Sequence, residues 1–129
     1  MTDTLKKKIL LVDDDSFLLN MYCLKFEKSN YEVVPVLSAQ DAINKLKDGF
    51  KPDILILDVI MPVMDGIELL GTIRDQHLAD QAKCLVLTNQ GESADVDRAQ
   101  KIGIDGYIVK ATSIPSEVVK AVDNILDKK

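Results

Sequence analysis

The stretch Ile54–Gly66, ILILDVIMPVMDG, constrains this chain more than any other. Four apolar residues run without a break into Asp58, and the chain then turns through Met61 and Pro62 to the pair Asp65-Gly66. A strand with one wet face alternates apolar and polar residues. An unbroken apolar run has no wet face and marks a strand covered on both sides, as in a parallel sheet. Ligands of open parallel sheets bind just beyond the carboxyl ends of the strands. Asp58 therefore stands where such a fold does its chemistry.

The rest of the chain supplies the sheet. Lys8–Val12 (KILLV) is predicted as a first strand, ending in Asp13-Asp14-Asp15. Ser16 opens a helix to about Lys28, with Leu18, Met21, Tyr22 and Phe26 at core spacing. Phe17, Leu19 and Leu24 make that helix apolar beyond one face, which is surplus core or a docking surface. Tyr31–Val36 follows as a strand whose Pro35 lacks an N–H for the ladder and so belongs at an edge. Ser38 caps a second helix, with Asp41 in capping-box position, a stripe of Ala42, Ile43 and Leu46, and Gly49 as its stop. Asp65-Gly66 starts a third helix with Ile67, Leu70 and Ile73 inward, ending near His77. Lys83–Thr88 (KCLVLT) is a further buried strand. A fourth helix covers about Glu92–Ile102 with Val96, Ala99 and Ile102 inward, and Asp105–Lys110 is a short fifth strand. Ser113 caps a last helix, Ile114–Leu126, whose first turn tolerates Pro115. Five strands alternating with five helices imply an α/β fold with a doubly wound parallel sheet. Right-handed crossovers and the edge position of Pro35 give strand order 2-1-3-4-5, a flavodoxin-like (βα)5 arrangement.

Composition narrows the function. A chain of 129 residues is expected to fold as one domain, 1–129, with no output domain after the last helix. Its net charge of −5 speaks against a nucleic-acid or anionic-membrane surface. No apolar run approaches a membrane span, and MTDTLKKK is not followed by a signal h-region, so a cytoplasmic location is expected. Cys23 and Cys84 have no metal-type spacing and read as two reduced buried thiols. A single histidine, His77, leaves no room for a histidine-based metal site or a Ser-His-Asp triad, and reads as a solvated residue near a helix end.

In strand order 2-1-3-4-5 the first and third strands are neighbours, so Asp13 and Asp14 meet Asp58 in one crevice. Three carboxylates repel one another unless a cation sits between them, and hard oxygen ligands with room for water suit Mg²⁺. Thr88 and Lys110 close the fourth and fifth strands beside them. A hydroxyl and an ammonium next to Mg²⁺ are what a transferred phosphoryl group needs to spread its charge. Asp58 is then the natural nucleophile, forming an aspartyl phosphate.

The residues VDDD at 12–15, LDVIMPVMDG at 57–66, LT at 87–88 and GYIVK at 106–110 resemble a receiver domain of two-component signalling, a response regulator, over essentially the whole chain. The resemblance implies that Asp14 ligates Mg²⁺ directly, that Asp13 acts largely through water, and that the backbone carbonyl of Ile60 completes the ligands. It implies Asp58 as phosphoacceptor, Thr88 as the hydroxyl that meets the phosphoryl group, Lys110 as its salt-bridge partner, and Tyr107 as an aromatic whose rotamer follows activation. As an alternative, Tyr107 packs on the fourth helix as an ordinary edge-strand aromatic. The implied partners are a histidine kinase or histidine phosphotransfer protein, and a downstream target on the face of the fourth helix, fifth strand and fifth helix, with the protein a monomer or weak homodimer.

Three departures from the family pattern bear on tuning. Ala111 follows Lys110 where most members have a proline after a cis peptide bond, and cis costs a non-proline residue about 3 kcal/mol. Asn89 follows Thr88 where a small Ala or Gly is usual. Ile60 and Gln90 occupy the positions that flank the path of the hydrolytic water, and an apolar Ile cannot orient that water, so slow self-dephosphorylation is expected. The competing reading is a receiver-like interaction module that does not depend on phosphorylation. A phosphohydrolase of the haloacid dehalogenase type needs an acid at position 60 to protonate its leaving group, and Ile60 denies it. A flavodoxin needs a phosphate-cradling loop where this chain has three aspartates.

Overall fold

The computed structural model describes residues 6–88 and 93–127. Its elements run β1 (Lys7–Val12), α1 (Ser16–Lys28), β2 (Tyr31–Val36), α2 (Ala39–Lys47), β3 (Ile54–Asp58), α3 (Gly66–Asp75), β4 (Lys83–Thr88), α4 (Ser93–Ile102), β5 (Gly106–Val109) and α5 (Pro115–Asp127), with a single 3-10 turn at Lys110–Thr112. The five strands form one parallel sheet in the order β2-β1-β3-β4-β5, as the sequence implies, with Pro35 on the edge strand.

Because side chains alternate along a strand, each apolar run feeds two cores. Leu10, Val12, Leu55, Leu57 and Val86 point to the face covered by α2 and α3. Ile9, Leu11, Ile54, Ile56, Leu85 and Leu87 point to the face covered by α1 and α5. Every residue of β3 is buried, and each such aliphatic side chain contributes about 1.5–3 kcal/mol on leaving water. On the second face Phe26 meets Tyr31 edge-on, and the Tyr31 hydroxyl donates to Asp123 of α5, tying the edge strand to the last helix. No described helix is long and apolar enough to cross a membrane.

The structure departs from the sequence reading at several places. On α1 the buried residues are Leu19, Tyr22 and Phe26, while Leu18 and Met21 are only half-buried. The helix is apolar almost all round, so spacing alone did not single out its inner face; Phe17 and Leu24 are the true surplus and stand exposed. Ile102, expected inward, is exposed at the end of α4, whose fully buried residue is Ala99. Cys84 is buried but Cys23 only partly so. Strand β5 stops at Val109, and Lys110 opens the 3-10 turn. Ser113 does not cap α5: it follows the 3-10 turn, and at the helix entrance the Ile114 N–H donates to the Glu117 carboxylate. Glu92, the expected start of α4, lies outside the described residues.

Candidate functional site

Two neighbouring strands, β1 and β3, deliver acids to one crevice. Val12 ends β1 and is the register partner of Leu57, so Asp13, just past β1, and Asp58, the last residue of β3, come side by side. Asp13 is held by its own N–H to the Val36 carbonyl at 3.2 Å and is fully buried. The next two aspartates separate in role. Asp14 is exposed in the crevice, whereas Asp15 caps α1, its carboxylate accepting the N–H groups of Phe17 and Leu18 at 3.0 and 3.2 Å. Carboxylate oxygens of Asp13, Asp14 and Asp58 all lie within 4.8 Å of one another.

Lys110 reaches into this group from the end of β5. Its Nζ lies 3.1 Å from Asp13 Oδ2 and 3.4 Å from Asp58 Oδ2. The Lys110–Ala111 peptide is trans, as are all peptide bonds among the described residues. Asp13 is thereby doubly engaged, since its Oδ1 accepts the Asp15 N–H at 2.9 Å. Asp58 is not: its Oδ1 is buried with no hydrogen-bond partner among the described residues. The crevice over it, about 360 Å³, is lined by Asp13, Asp14, Asp58, Ile60 and Lys110 together with Asp15 and Leu18.

The electrostatics follow from this packing. Burial pushes the Asp58 carboxyl up to about 7, the neighbouring Asp13 carboxylate adds to the rise, and Lys110 only partly offsets it. For Lys110 burial pulls the other way, but Asp58 and Asp13 outweigh it, and its pKa rises above the ordinary lysine value. A buried, unpartnered carboxylate oxygen beside two further carboxylates is a donor set that fits a hard divalent cation such as Mg²⁺.

The remaining residues singled out from sequence fall as follows. Thr88 is buried at the end of β4, one register position beyond the level of Asp58. The Ile60 side chain is exposed on the crevice rim. Tyr107 sits on the edge strand β5 with its ring exposed, outside the core. Asn89 and Gln90 lie outside the described residues.

Three features of the loop after Asp58 were not read from sequence. The Met64 N–H donates to the Pro62 carbonyl at 2.8 Å, a γ-turn centred on Val63. Val63 has φ +72° and is fully exposed, so a β-branched residue carries left-handed strain of about 1–2 kcal/mol with no packing in return. Asp65 and Glu68 then form a reciprocal capping box at 2.8 and 3.0 Å, which launches α3. Gly66 allows the close return of the loop: a Cβ there would stand 2.1 Å from the Asp58 carbonyl oxygen. Gly66→Ala is accordingly expected to displace the Asp58 backbone and cost roughly 2–4 kcal/mol. Urea denaturation checks this, and a loss below about 1 kcal/mol is incompatible with so close an approach.

Comparison with known proteins gives concordant results. The sequence model of the response regulator receiver domain matches residues 9–123. The chain is 35% identical over 122 residues to the alkaline phosphatase synthesis transcriptional regulatory protein PhoP of Bacillus subtilis, covering 95% of this chain and 49% of PhoP. It is 35% identical over 120 residues to the chemotaxis protein CheY of Thermotoga maritima, covering 92% of this chain and 97% of that one. The chain thus spans about half of the first relative and nearly all of the second. Among solved structures, the Vibrio cholerae chemotaxis protein CheY4 superposes with a TM-score of 0.87 at 26% identity, over 94% of this chain and 99% of CheY4.

Proposed function

The chain belongs to the receiver domain family of two-component response regulators, and from that premise we propose that residues 1–129 form one receiver unit that takes a phosphoryl group from a phosphohistidine onto Asp58. The observation that carries the proposal is the meeting of the Asp58 carboxylate with Asp13, Asp14 and Lys110 in one open crevice, its Oδ1 without a hydrogen-bond partner among the described residues. A carboxylate held this way is largely desolvated and fixed by its neighbours, which favours it as a nucleophile toward phosphorus. In the step, the new bond joins an Asp58 oxygen to phosphorus while the P–N bond to the donor imidazole breaks, and the departing imidazole nitrogen takes a proton from solvent. Lys110, already 3.4 Å from Asp58 Oδ2, is placed to pair with the phosphoryl oxygens as their charge develops, and the Thr88 hydroxyl offers a hydrogen bond from the end of β4. Asp13, Asp14, Asp58 and the Ile60 carbonyl would hold Mg²⁺, which when bound neutralises part of the phosphoryl charge.

The protein is a signalling phosphoacceptor, not a turnover enzyme, in this reading. Phe17 and Leu24, exposed on α1, give a phosphohistidine-bearing kinase or phosphotransfer protein an apolar surface. Tyr107, exposed on β5 between α4 and α5, marks the face through which a downstream target would sense the phosphorylated state, as a population shift between two conformations.

The primary test is intact-mass measurement after incubation with Mg²⁺ and acetyl phosphate. One phosphoryl adduct is expected; its absence favours the phosphorylation-independent module. Ile60 gives a further prediction. Its exposed aliphatic side chain on the crevice rim cannot orient an attacking water, so the phosphoprotein should persist, and Ile60→Asn should shorten its lifetime by about tenfold. A wild-type half-life of a few seconds is the result that sinks this expectation.

A further inference from the structure

The end of the sheet opposite Asp58 carries charge of the other sign. Lys6 precedes β1, Lys7 and Lys8 are its first two residues, Lys51 precedes β3 and Lys83 opens β4. None of these five ammonium groups takes part in the ion pairs found among the described residues. Lys6, Lys7, Lys8 and Lys51 line one concavity of about 280 Å³. The acidic residue there, Asp53, is already engaged: its Oδ2 accepts the Lys8 N–H at 2.8 Å. In a chain whose net charge is −5, four lysines to one aspartate make this concavity a local concentration of positive charge.

Lys51 also borders a second opening, a groove of about 240 Å³ between the start of β3 and the loop from α3 to β4. Pro52, Leu78 and Ala82 make its apolar surface. The loop that forms its wall is pinned from beneath, because the Arg74 guanidinium donates to the carbonyls of Ala79 and Ala82, the latter at 2.8 Å. Asp80, on the same wall, is paired with the His77 ring at 3.0 Å. The groove is therefore formed before any ligand arrives, which lowers the ordering cost of binding.

An apolar groove that shares Lys51 with a lysine-lined concavity selects among ligands by charge and shape. A bare anion would use the lysines and leave the groove empty. An acidic polypeptide segment with one apolar side chain would use both, its carboxylates over the lysine row and its apolar residue against Pro52 and Leu78. We propose that this strand-start edge docks an acidic, partly apolar segment of a partner protein. Lying at the opposite end of the sheet from Asp58, it can be occupied while the phosphoacceptor crevice is also engaged.

The test is an amide NMR titration of the full chain with a capped peptide carrying one leucine among six acidic residues. Shifts are expected at residues 6–8, 51–53 and 77–82, with Lys51→Glu weakening binding about tenfold and a rise from about 50 to about 300 mM NaCl doing the same. Replacing the peptide leucine by glutamine should also weaken it, which probes the groove separately from the charges. Phosphorylation of Lys51→Glu by acetyl phosphate should match wild type, showing that the variant is folded. The proposal is overturned if no localised shift appears, if lysines over the whole surface respond alike, or if inorganic phosphate reproduces the pattern at equal concentration. It is equally overturned if raising the protein concentration alone moves the same amides, since the occupant is then a second copy.

Discussion

Asp58→Asn is expected to abolish the phosphoryl adduct and, in the same protein, to raise the stability of the metal-free fold. Loss of the adduct follows from removing the nucleophile: the Asn amide oxygen is a poor attacking group, and mass measurement should return only the unmodified chain. The gain in stability follows from the environment of the carboxylate. Asp58 is buried beside the fully buried Asp13, and its pKa rises from the ordinary 3.8 to about 7. Between those values the folded chain retains a proton that the unfolded chain has released, so raising the pH through this window disfavours folding. The contribution of Asp58 is most favourable below pH of about 4 and is lost above about 7, a swing of roughly 2–4 kcal/mol. Asn has no proton to lose. The variant should therefore unfold several degrees above wild type at pH 8 in EDTA, with the gap closing at pH 5 and again when Mg²⁺ is added to the wild type. Equal melting temperatures at pH 8 without metal would falsify the assignment of Asp58 as a strained carboxylate.

The parts of this arrangement visible in the sequence are those set by local pattern. Ile54–Asp58 and Lys83–Thr88 are delimited correctly because unbroken apolar runs end abruptly at a polar residue. The convergence of Asp13, Asp14 and Asp58 follows from strand order, which Pro35 and the alternation of elements determine. What stayed hidden depends on approach in three dimensions. No spacing rule indicates that Lys110 leaves the sheet in a 3-10 turn and pairs first with Asp13, or that one Asp58 oxygen has no hydrogen-bond partner among the described residues. The same holds for Gly66, whose necessity lies in the Asp58 carbonyl above it, and for Val63, whose strain contradicts the preference of a valine for extended backbone. On α1 the fault lies in the pattern itself, since a helix apolar on most sides gives no unique inner face and Leu19 was displaced by Leu18 and Met21.

Lys110→Met should produce the largest loss of stability at the site, and the loss should depend on metal. The lysine stem is largely buried and methionine matches its length, so the substitution removes charge with little change in packing. It leaves Asp13 and Asp58, exposed by only 0% and 3%, facing each other with no counter-ion. Breaking a buried ion pair by deleting one partner costs about 3–5 kcal/mol. Part of that cost is avoided when Asp58 keeps its proton. Its pKa, about 7 with Lys110 in place, must move higher without it, so the variant should be destabilised far more at pH 9 than at pH 6. A divalent cation bound to the same carboxylates relieves the repulsion that Lys110 normally relieves. Stability measured by denaturant titration should thus be recovered by Mg²⁺ to a much greater extent in the variant than in wild type, with a lower Mg²⁺ midpoint, because no ammonium competes for Asp13. Labelling by acetyl phosphate should nonetheless fall, since nothing replaces the cation beside the transferred phosphoryl oxygens. If Lys110→Met is as stable as wild type at pH 9 in EDTA, the ammonium is not the counter-ion of the metal-free crevice, and the geometry at Asp13 has to be explained another way.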